Sequence, residues 1–169
     1  QATHVALAFE STTGSLRREI DPGYKPRKAQ EPDDLVPQLR DANIAAGRMG
    51  WARYRAEGWE ADDAMAAIAN AAVAAEFDEA LLLTADYDLL GVVGERVAVL
   101  RPRAGGGVDR YGPDDVEARS PYRVPPALVA EVKSLIGGST DGYRGVRGIG
   151  PSVGPDLVLP SEWLPVIWG

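Results

Sequence analysis

The stretch EALLLTAD, residues 79–86, decides the fold, because it is an apolar run of strand-forming composition that ends in a carboxylate. The stretch THVALAFE, residues 3–10, has the same design. Such runs are typical of buried parallel strands. Between them, residues 33–49 and 61–75 have helix-forming composition. This order of strand, helix, helix and strand predicts an α/β fold with a mainly parallel central sheet flanked by helices.

Later segments continue this pattern. ERVAVLRP, residues 95–102, predicts a third strand, and AGGG, residues 104–107, predicts a loop. PPALVAEVKSLIGG, residues 125–138, predicts a helix with proline near its start and glycine at its end. The apolar tail after residue 156 contains prolines and is expected to lie as a strap over the core. At 169 residues, we expect one domain that spans residues 1–169.

The composition restricts the chemistry. Cysteine is absent and His4 is the one histidine, which excludes thiolate metal sites and argues against a catalytic triad or a histidine-based zinc site. Any hydrolytic chemistry must therefore use carboxylates. No apolar stretch approaches the roughly 18 residues of a membrane span, and residues 1–14 do not have the pattern of a signal peptide. We therefore expect a cytoplasmic protein with no membrane partner.

The net charge of -7 comes from one segment of the chain. Residues 56–100 hold one Lys or Arg and ten Asp or Glu, whereas residues 1–55 hold nine basic and seven acidic side chains. An acidic segment of this kind is either a solvated face or a cation site. The rest of the surface can still attract phosphates.

Carboxylates stand at the ends of the predicted elements. Glu10 and Asp86 end two strands, and ligands of α/β sheets bind beyond the carboxyl ends of strands. Further acids open the second predicted helix or follow the strand closely, namely Glu60, Asp62, Asp63 and Asp88. Each motif alone has an ordinary explanation, because the helix dipole favours acids in a first turn and a turn commonly follows a strand. Their combination predicts one carboxylate site.

Repulsion among so many acids would raise their pKa values and cost stability unless cations intervene. Oxygen ligands without cysteine or histidine suit Mg²⁺ or Mn²⁺. Two such ions about 3.5 to 4 Å apart can activate a water and stabilise the leaving oxygen of a phosphodiester. The sequence therefore predicts a site for Mg²⁺ or Mn²⁺ with two ions.

Several ordered motifs together resemble the 5'-3' exonuclease and flap endonuclease family, as found in the nuclease domain of bacterial DNA polymerase I. These motifs are GWEADDAMAAIA, LLLTADYDLLGVV, RVAVLRP and GVRGIG, with THVALAFESTTGSLRREIDPGYKPRKAQ before them. The resemblance extends from residue 3 to about residue 151. It implies a PIN-like 5' nuclease fold with a reduced helix-three-turn-helix region at residues 137–156.

The resemblance also implies roles for individual residues. Glu60, Asp62, Asp63 and Asp86 would serve a first metal, with Glu10 replacing a usual aspartate, and Asp88 and Asp141 would lie near a second. A basic arch-like segment, residues 17–30, would meet threaded DNA through Arg17, Tyr24, Lys25 and Lys28, with Lys25 and Arg17 steadying the scissile phosphate. GVRGIG would approach duplex phosphates through Gly145, Gly148 and Gly150, helped by Arg144 and Arg147. Without the resemblance, an ordinary basic surface loop explains the first segment equally well, and a plain glycine-rich turn is the better interpretation of the second.

Three departures from the family pattern bear on activity. The family's opening strand, with its metal-binding aspartate, would precede Thr3, and we expect another chain or the apolar tail to cover the sheet edge left by it. GGSTDG, residues 137–142, has Gly138 where the family has a metal aspartate, and Asp141 remains. GPSVGPDLV, residues 150–158, weakens the second helix of the DNA-binding element.

The leading hypothesis is a divalent-metal-dependent 5'-3' exonuclease or flap endonuclease acting on DNA at 5' ends, flaps or branches, in the cytoplasm and associated with the nucleoid. The alternative is a catalytically impaired relative that binds DNA structure, favoured by Gly138 and by the strand that would precede Thr3. A third reading, an RNA-cleaving toxin of the PIN type, explains the acids but predicts neither the basic segment nor GVRGIG.

Overall fold

The computed structural model describes residues 2–25, 34–138 and 141–158. The chain divides into two compact units, Gln1–Ala67 and Ile68–Gly169, called here the first and second unit. Each unit is described by itself, and the single-domain organisation stays a prediction. The strap predicted for the apolar tail falls mostly outside the described residues. Among the described residues, no helix combines the length and the apolar character needed to span a membrane.

The first unit contains two short parallel strands and the helices between and after them. Its elements are β1 (Ala6–Ala8), α1 (Arg17–Ile20), α2 (Leu35–Arg48), β2 (Ala52–Tyr54) and the start of α3 (Ala61–Ala74). β1 pairs in parallel with β2, with Ala6 opposite Ala52. The predicted strand and the two predicted helices are confirmed. β2 was not predicted, because its three exposed residues carry no apolar pattern.

The second unit is built on a three-stranded sheet in the order β3-β4-β5. Its elements are β3 (Ala80–Leu83), β4 (Val97–Pro102), β5 (Val108–Tyr111), α4 (Pro113–Arg119), α5 (Val129–Ile136), β6 (Gly137–Gly138), β7 (Tyr143–Arg144) and α6 (Gly154–Val158). β3 pairs in parallel with β4, and β4 pairs antiparallel with β5. The predicted strands at residues 79–86 and 95–102, the loop at 104–107 and the helix within 125–138 are confirmed.

The hydrophobic core of the second unit consists of aliphatic side chains from its strands, helices and connecting segments. The largest fully buried side chains are Leu90, Val99, Val116, Val124, Val129 and Val132. Each such side chain contributes about 1.5 to 3 kcal/mol relative to its exposed state. This core fixes α5 and the segment after β3, and both carry the polar residues described below.

The α/β class is confirmed by this mixture of helices and parallel strand pairs. β5 departs from the mainly parallel pattern because the tight turn after β4 returns the chain beside it, which requires antiparallel pairing. β6 and β7 form a small antiparallel pair of their own. Among the described residues of the predicted helix-three-turn-helix region, the helix that follows GVRGIG is the five-residue α6.

Candidate active site

The start of α3 gathers acidic side chains, as the sequence predicted. Glu60 precedes the helix, and Asp62 and Asp63 lie in its first turn. The Oδ2 atom of Asp63 accepts a hydrogen bond of 3.0 Å from the backbone N–H of Glu60. This contact is the carboxylate half of a capping box, which satisfies a backbone donor that the helix cannot pair. Asp63 therefore helps to begin the helix.

Arg17 of α1 binds Asp63 through two parallel hydrogen bonds. The Nη1 and Nη2 atoms of Arg17 donate to Oδ2 and Oδ1 of Asp63, each at 2.7 Å. The hydrogen bonds from Arg17 hold the pKa of Asp63 below its ordinary value. They also raise the pKa of Arg17, so both groups are charged at neutral pH. Fork-to-fork geometry of this kind is among the stronger arrangements of an ion pair.

Glu60 has its own pair of donors. The hydroxyl group of Tyr24 and the ammonium group of Lys25 both donate to Oε2 of Glu60, at 3.0 and 2.8 Å. Lys25 has a backbone φ of 45°, in the left-handed region, and its carbonyl accepts a 2.9 Å hydrogen bond from Nη2 of Arg18. The ammonium group also lies 5.3 Å from the centre of the Tyr24 ring. Two adjacent residues thus hold one carboxylate.

These contacts change the protonation of the partners. Burial would raise the pKa of Glu60, but hydrogen bonds from Lys25 and Tyr24 outweigh burial and lower it. Burial lowers the pKa of Lys25, but its hydrogen bond to Glu60 outweighs this and raises it. Burial and the hydrogen bond to Glu60 raise the pKa of Tyr24 to about 12. At neutral pH, the pair is an ammonium and a carboxylate beside a neutral phenol.

The chain's own cations therefore relieve the repulsion expected among the acids at the start of α3. Arg17 neutralises Asp63 and Lys25 neutralises Glu60 within the first unit. The resemblance placed Arg17, Tyr24 and Lys25 in a segment expected to meet DNA, and the structure brings all three onto carboxylates. Their role in DNA binding stays a prediction.

In the second unit, two more of the predicted acids follow β3. The backbone N–H of Asp88 donates to Oδ1 of Asp86 at 3.0 Å, and the backbone N–H of Asp86 donates to Oγ1 of Thr84 at 3.1 Å. Arg101 of β4 donates two hydrogen bonds, of 3.1 and 2.7 Å, to the carbonyl of Ala85. Its guanidinium group also lies 3.5 Å from the centre of the Tyr87 ring. The turn that carries both aspartates is therefore held by its own side-chain hydrogen bonds, by the hydrogen bonds from Arg101 and by the contact of Arg101 with the Tyr87 ring.

Lys133 of α5 lies beside these aspartates. Its ammonium group forms an ion pair with Oδ1 of Asp88 and lies 3.9 Å from Oδ2 of Asp141. Both partners border a cavity of about 250 Å³, lined by Asp86, Tyr87, Asp88, Tyr122, Lys133, Ile136, Gly137, Gly138 and Asp141. Burial raises the pKa of Tyr122 to about 12, so this phenol is neutral at physiological pH.

The pKa values of the two neighbouring aspartates move in opposite directions. Burial raises the pKa of Asp88 above its ordinary value. Burial would also raise the pKa of Asp86, but hydrogen bonds from Asp88 outweigh burial and lower it. Asp86 is therefore the stronger acid of the two, because it accepts the backbone N–H that begins the next turn.

The other predicted site residues have simpler surroundings. Glu10 is exposed, two residues after the end of β1. Arg144, Arg147 and Gly148 are exposed in and after β7. Lys28 lies outside the described residues. Their binding roles stay predictions.

Gly145 and Gly150 differ in what surrounds them. A Cβ atom at Gly145 would lie 2.3 Å from the backbone carbonyl oxygen of Leu135, whereas a Cβ atom at Gly150 would meet nothing within 4 Å. Glycine at position 145 is thus explained by close backbone packing against the end of α5.

Sequence reasoning missed Lys133. Val129, Val132, Lys133 and Ile136 stand at the spacing of one helix face, so the lysine falls on the apolar stripe of α5. A charged group on such a stripe needs a partner, because burying an unpaired charge is costly. A lysine within the apolar stripe of α5 was thus the sequence signal that could have identified Lys133 as a site residue.

No three Asp, Glu or His side chains lie close enough to hold one metal ion, over the residues that the structure describes. The predicted gathering of carboxylates from both units into one metal site stays a prediction.

Comparison with known proteins gives the family. The profile described as "5'-3' exonuclease, N-terminal resolvase-like domain" matches residues 1–120, which is more than half of the chain. The chain belongs to the 5'-3' exonuclease family. The resemblance noted from the motifs is thereby confirmed, and the matched residues include both α3 and the turn that follows β3.

Two relatives match this chain over part of their own length. It is 29% identical to the 5'-3' exonuclease of Bacillus subtilis over 162 residues, which cover 96% of this chain and 54% of that protein. It is 33% identical to the thermostable DNA polymerase I of Thermus filiformis over 159 residues, which cover 94% of this chain and 18% of that protein. The chain thus spans about half the length of the first relative and less than a fifth of the second.

Solved structures agree in fold. A flap endonuclease of bacteriophage T5, in a pseudo-enzyme-product complex with DNA and metal ions, superposes with a TM-score of 0.77 at 21% identity, covering 93% of this chain and 60% of that chain. The T5 5'-exonuclease with bound zinc gives a TM-score of 0.76 at 22% identity, covering 93% of this chain and 60% of that chain. The PIN-like 5' nuclease fold is confirmed. From the sequence, we also expected another chain at a sheet edge. These comparisons give no support for the presence of such a chain.

Proposed function

We propose that the chain is a nuclease domain that hydrolyses DNA phosphodiester bonds at 5' ends, flaps or branches and depends on Mg²⁺ or Mn²⁺. Membership of the 5'-3' exonuclease family supports this proposal. The observation that carries it is the hydrogen bond of 2.8 Å between Lys25 and Glu60. This contact holds an ammonium group, a cation of the kind that binds phosphates, beside a carboxylate at the acid-rich start of α3.

The donor chemistry of the start of α3 fits a hard divalent cation. Glu60, Asp62 and Asp63 supply carboxylate oxygens within one helical turn, and oxygen ligands are those that Mg²⁺ and Mn²⁺ take. A bound ion would activate water and neutralise charge on the phosphodiester. Asp86 would add a further oxygen ligand, as the family resemblance implies.

Arg17 and Lys25 would bind the scissile phosphate. A guanidinium group presents two parallel N–H donors that match two phosphate oxygens as well as they match a carboxylate. Both cations are about one-third exposed or more, so neither is sealed in its present ion pair. Tyr24 remains a neutral phenol at physiological pH and would offer its ring to an unpaired base.

Exposed basic side chains after α5 would bind the duplex beside the cleavage point. Arg144 and Arg147 are exposed and are separated by Gly145 and Val146. Contacts to phosphates position a protein on DNA without reading its sequence. Recognition of branched or flapped DNA by shape is consistent with such contacts.

A second candidate function is binding of DNA structure without cleavage. Gly138 favours it, because the family resemblance places a metal aspartate at this position. A Cβ atom at residue 138 would lie 2.7 Å from Cε1 of Tyr143, so a side chain fits only if that ring moves. Mg²⁺ is bound by few protein ligands, so loss of one ligand lowers the affinity of the site for the ion.

Cleavage of a 5'-labelled flap DNA in Mg²⁺ or Mn²⁺ tests the proposal. The wild-type chain should release labelled product, and an Asp62→Ala, Asp86→Ala double variant should lose at least a hundredfold in rate. A Glu95→Gln variant, which removes an exposed carboxylate outside the site, is the matched control and should cleave like the wild type.

Binding measured on the same flap DNA separates the two candidates. Metal-dependent product that the double variant cannot form supports the nuclease. Tight binding of the flap without product, in both Mg²⁺ and Mn²⁺, rejects the nuclease in favour of the binding protein.

A further inference from the structure

Lys133 stands where the sequence of α5 otherwise provides apolar side chains. Val129 and Val132 on the same helix face are fully buried, and the side chain of Lys133 is only 16% exposed. A charged lysine in this position destabilises the fold unless neighbouring groups compensate its charge. The carboxylates around Lys133 therefore compensate its charge.

The ammonium group of Lys133 lies among carboxylates from two other segments. It is bound to Asp88, at the turn after β3, and lies 3.9 Å from Oδ2 of Asp141, before β7. Asp86 lines the same cavity and is fixed to Asp88 by a backbone hydrogen bond. Asp88 and Asp141 thus share the ammonium group of Lys133, and Asp86 lines the cavity beside them.

A divalent ion between Asp88 and Asp141 would compete with this ammonium group. The cations at the start of α3 are 41% and 36% exposed and can turn towards phosphate, whereas Lys133 is only 16% exposed and has little room to turn away. Mg²⁺ requires oxygen ligands at about 2.0 to 2.1 Å, and a second cation at the same oxygens would repel the charge of Lys133. A protonated lysine has three donors and no acceptor, so it cannot serve as a ligand.

The space beside residue 138 is filled by a neighbouring ring. The ring of Tyr143 occupies the space that a side chain at Gly138 would need, with Cε1, Cζ and the hydroxyl oxygen all within 3.1 Å of an added Cβ atom. In the described lining of the cavity, residue 138 therefore supplies no carboxylate. A divalent ion that entered once the charge of Lys133 was removed would meet Asp86, Asp88 and Asp141. Tyr143 also lies near the ammonium group, with its ring centre 6.0 Å from Nζ.

We propose that the ammonium group of Lys133 takes the place of a divalent cation between Asp88 and Asp141, so that these two carboxylates form no separate metal site. The chain then binds fewer divalent ions than the two expected from its sequence. This inference concerns metal stoichiometry and goes beyond the proposed nuclease function, because it holds whether or not the chain cleaves DNA.

Mn²⁺ binding to the whole chain tests the inference, with calorimetry and electron paramagnetic resonance counting bound ions. A Lys133→Met variant keeps the length of the side chain and removes its charge, so it should bind one more Mn²⁺ per chain than the wild type. An Arg103→Met variant is the matched control. Arg103 pairs with Asp109 in the β4–β5 hairpin, and its loss should leave the stoichiometry unchanged. A folded Lys133→Met chain with the wild-type stoichiometry would overturn the inference.

Acetylation of the wild-type chain provides a second measurement that needs no variant. Lys25, Lys28 and Lys133 are the lysines of the chain, and mass spectrometry resolves their modification separately. With added free lysine as an internal standard, the acetylation rate of Lys133 should be the same with and without saturating Mg²⁺. If the acetylation rate of Lys133 rose several-fold when Mg²⁺ was added, the metal would be displacing the ammonium group. That result would overturn the inference. Neither measurement uses DNA cleavage, so failure of the nuclease proposal remains a separate result.

Discussion

Arg17 and Asp63 are joined by two hydrogen bonds of 2.7 Å, although 46 residues separate them along the chain. Asp63 also accepts the backbone N–H of Glu60, so one carboxylate both begins α3 and anchors α1. The side chains are 41% and 25% exposed. This pair connects the segment expected to meet DNA with the acid-rich start of the helix, and the first predictions concern its energy.

An Arg17→Ala variant should lower the free energy of unfolding by about 1 kcal/mol, because the pair is bidentate but partly screened by solvent. An Arg40→Ala variant, which removes an exposed arginine from α2, should change it by less than about 0.5 kcal/mol. Urea denaturation measures both. A double-mutant cycle with Asp63→Asn isolates the pair, since asparagine keeps an oxygen for the Glu60 N–H. Zero coupling energy in this cycle would contradict the prediction.

Acid should remove the contribution of Asp63 to stability. The hydrogen bonds from Arg17 lower the pKa of this carboxyl in the folded chain. Its contribution is therefore complete above the unfolded pKa of about 3.9 and is lost as the pH falls through the lower folded pKa. The stability difference between the wild type and Asp63→Asn should shrink progressively below about pH 4. Urea denaturation between pH 7 and pH 2 measures it, and a difference that stays constant over this range would refute the prediction.

The two glycines at the ends of GVRGIG should differ in how much substitution by alanine destabilises the chain. Gly145→Ala places a Cβ atom 2.3 Å from backbone atoms of Leu135 and Ile136, so α5 or β7 must shift, at a cost of about 2 to 3 kcal/mol. Gly150→Ala meets open space and should leave stability within about 1 kcal/mol of the wild type. Thermal unfolding compares them directly. Equal melting temperatures for the two variants would show that the close approach at Gly145 is absent in solution.

Loss of Lys25 should flatten the salt dependence of DNA binding. If Lys25 neutralises one phosphate, Lys25→Ala lowers the slope of log affinity against log salt concentration by about 0.7 to 0.9. Arg40→Ala, outside the segment expected to bind DNA, should keep the wild-type slope. Fluorescence anisotropy with labelled flap DNA in EDTA measures the slope without cleavage. An unchanged slope for Lys25→Ala would remove Lys25 from the phosphate contacts.

Local pattern was sufficient for much of the backbone. The apolar runs at residues 79–86 and 95–102 contain β3 and β4, and the acids followed by alanines mark the start of α3. β2 and β5 were missed because three or four residues of mixed polarity carry no periodicity. α4 was missed although proline opens it and Asp115 caps the Gly112 N–H, which are recognised signals of a helix start.

The sequence by itself determined the α/β class, the family and the acidic character of the site, because strand and helix periodicity and ordered motifs are local properties of the chain. Only the tertiary structure decided which cation compensates which carboxylate. Lys25 could have faced solvent or phosphate, yet it binds Glu60, and Lys133 could have been an ordinary surface lysine, yet it binds Asp88 across 45 residues. The reason is physical: the strength of a charge pair depends on distance and burial, which the fold sets and sequence spacing does not.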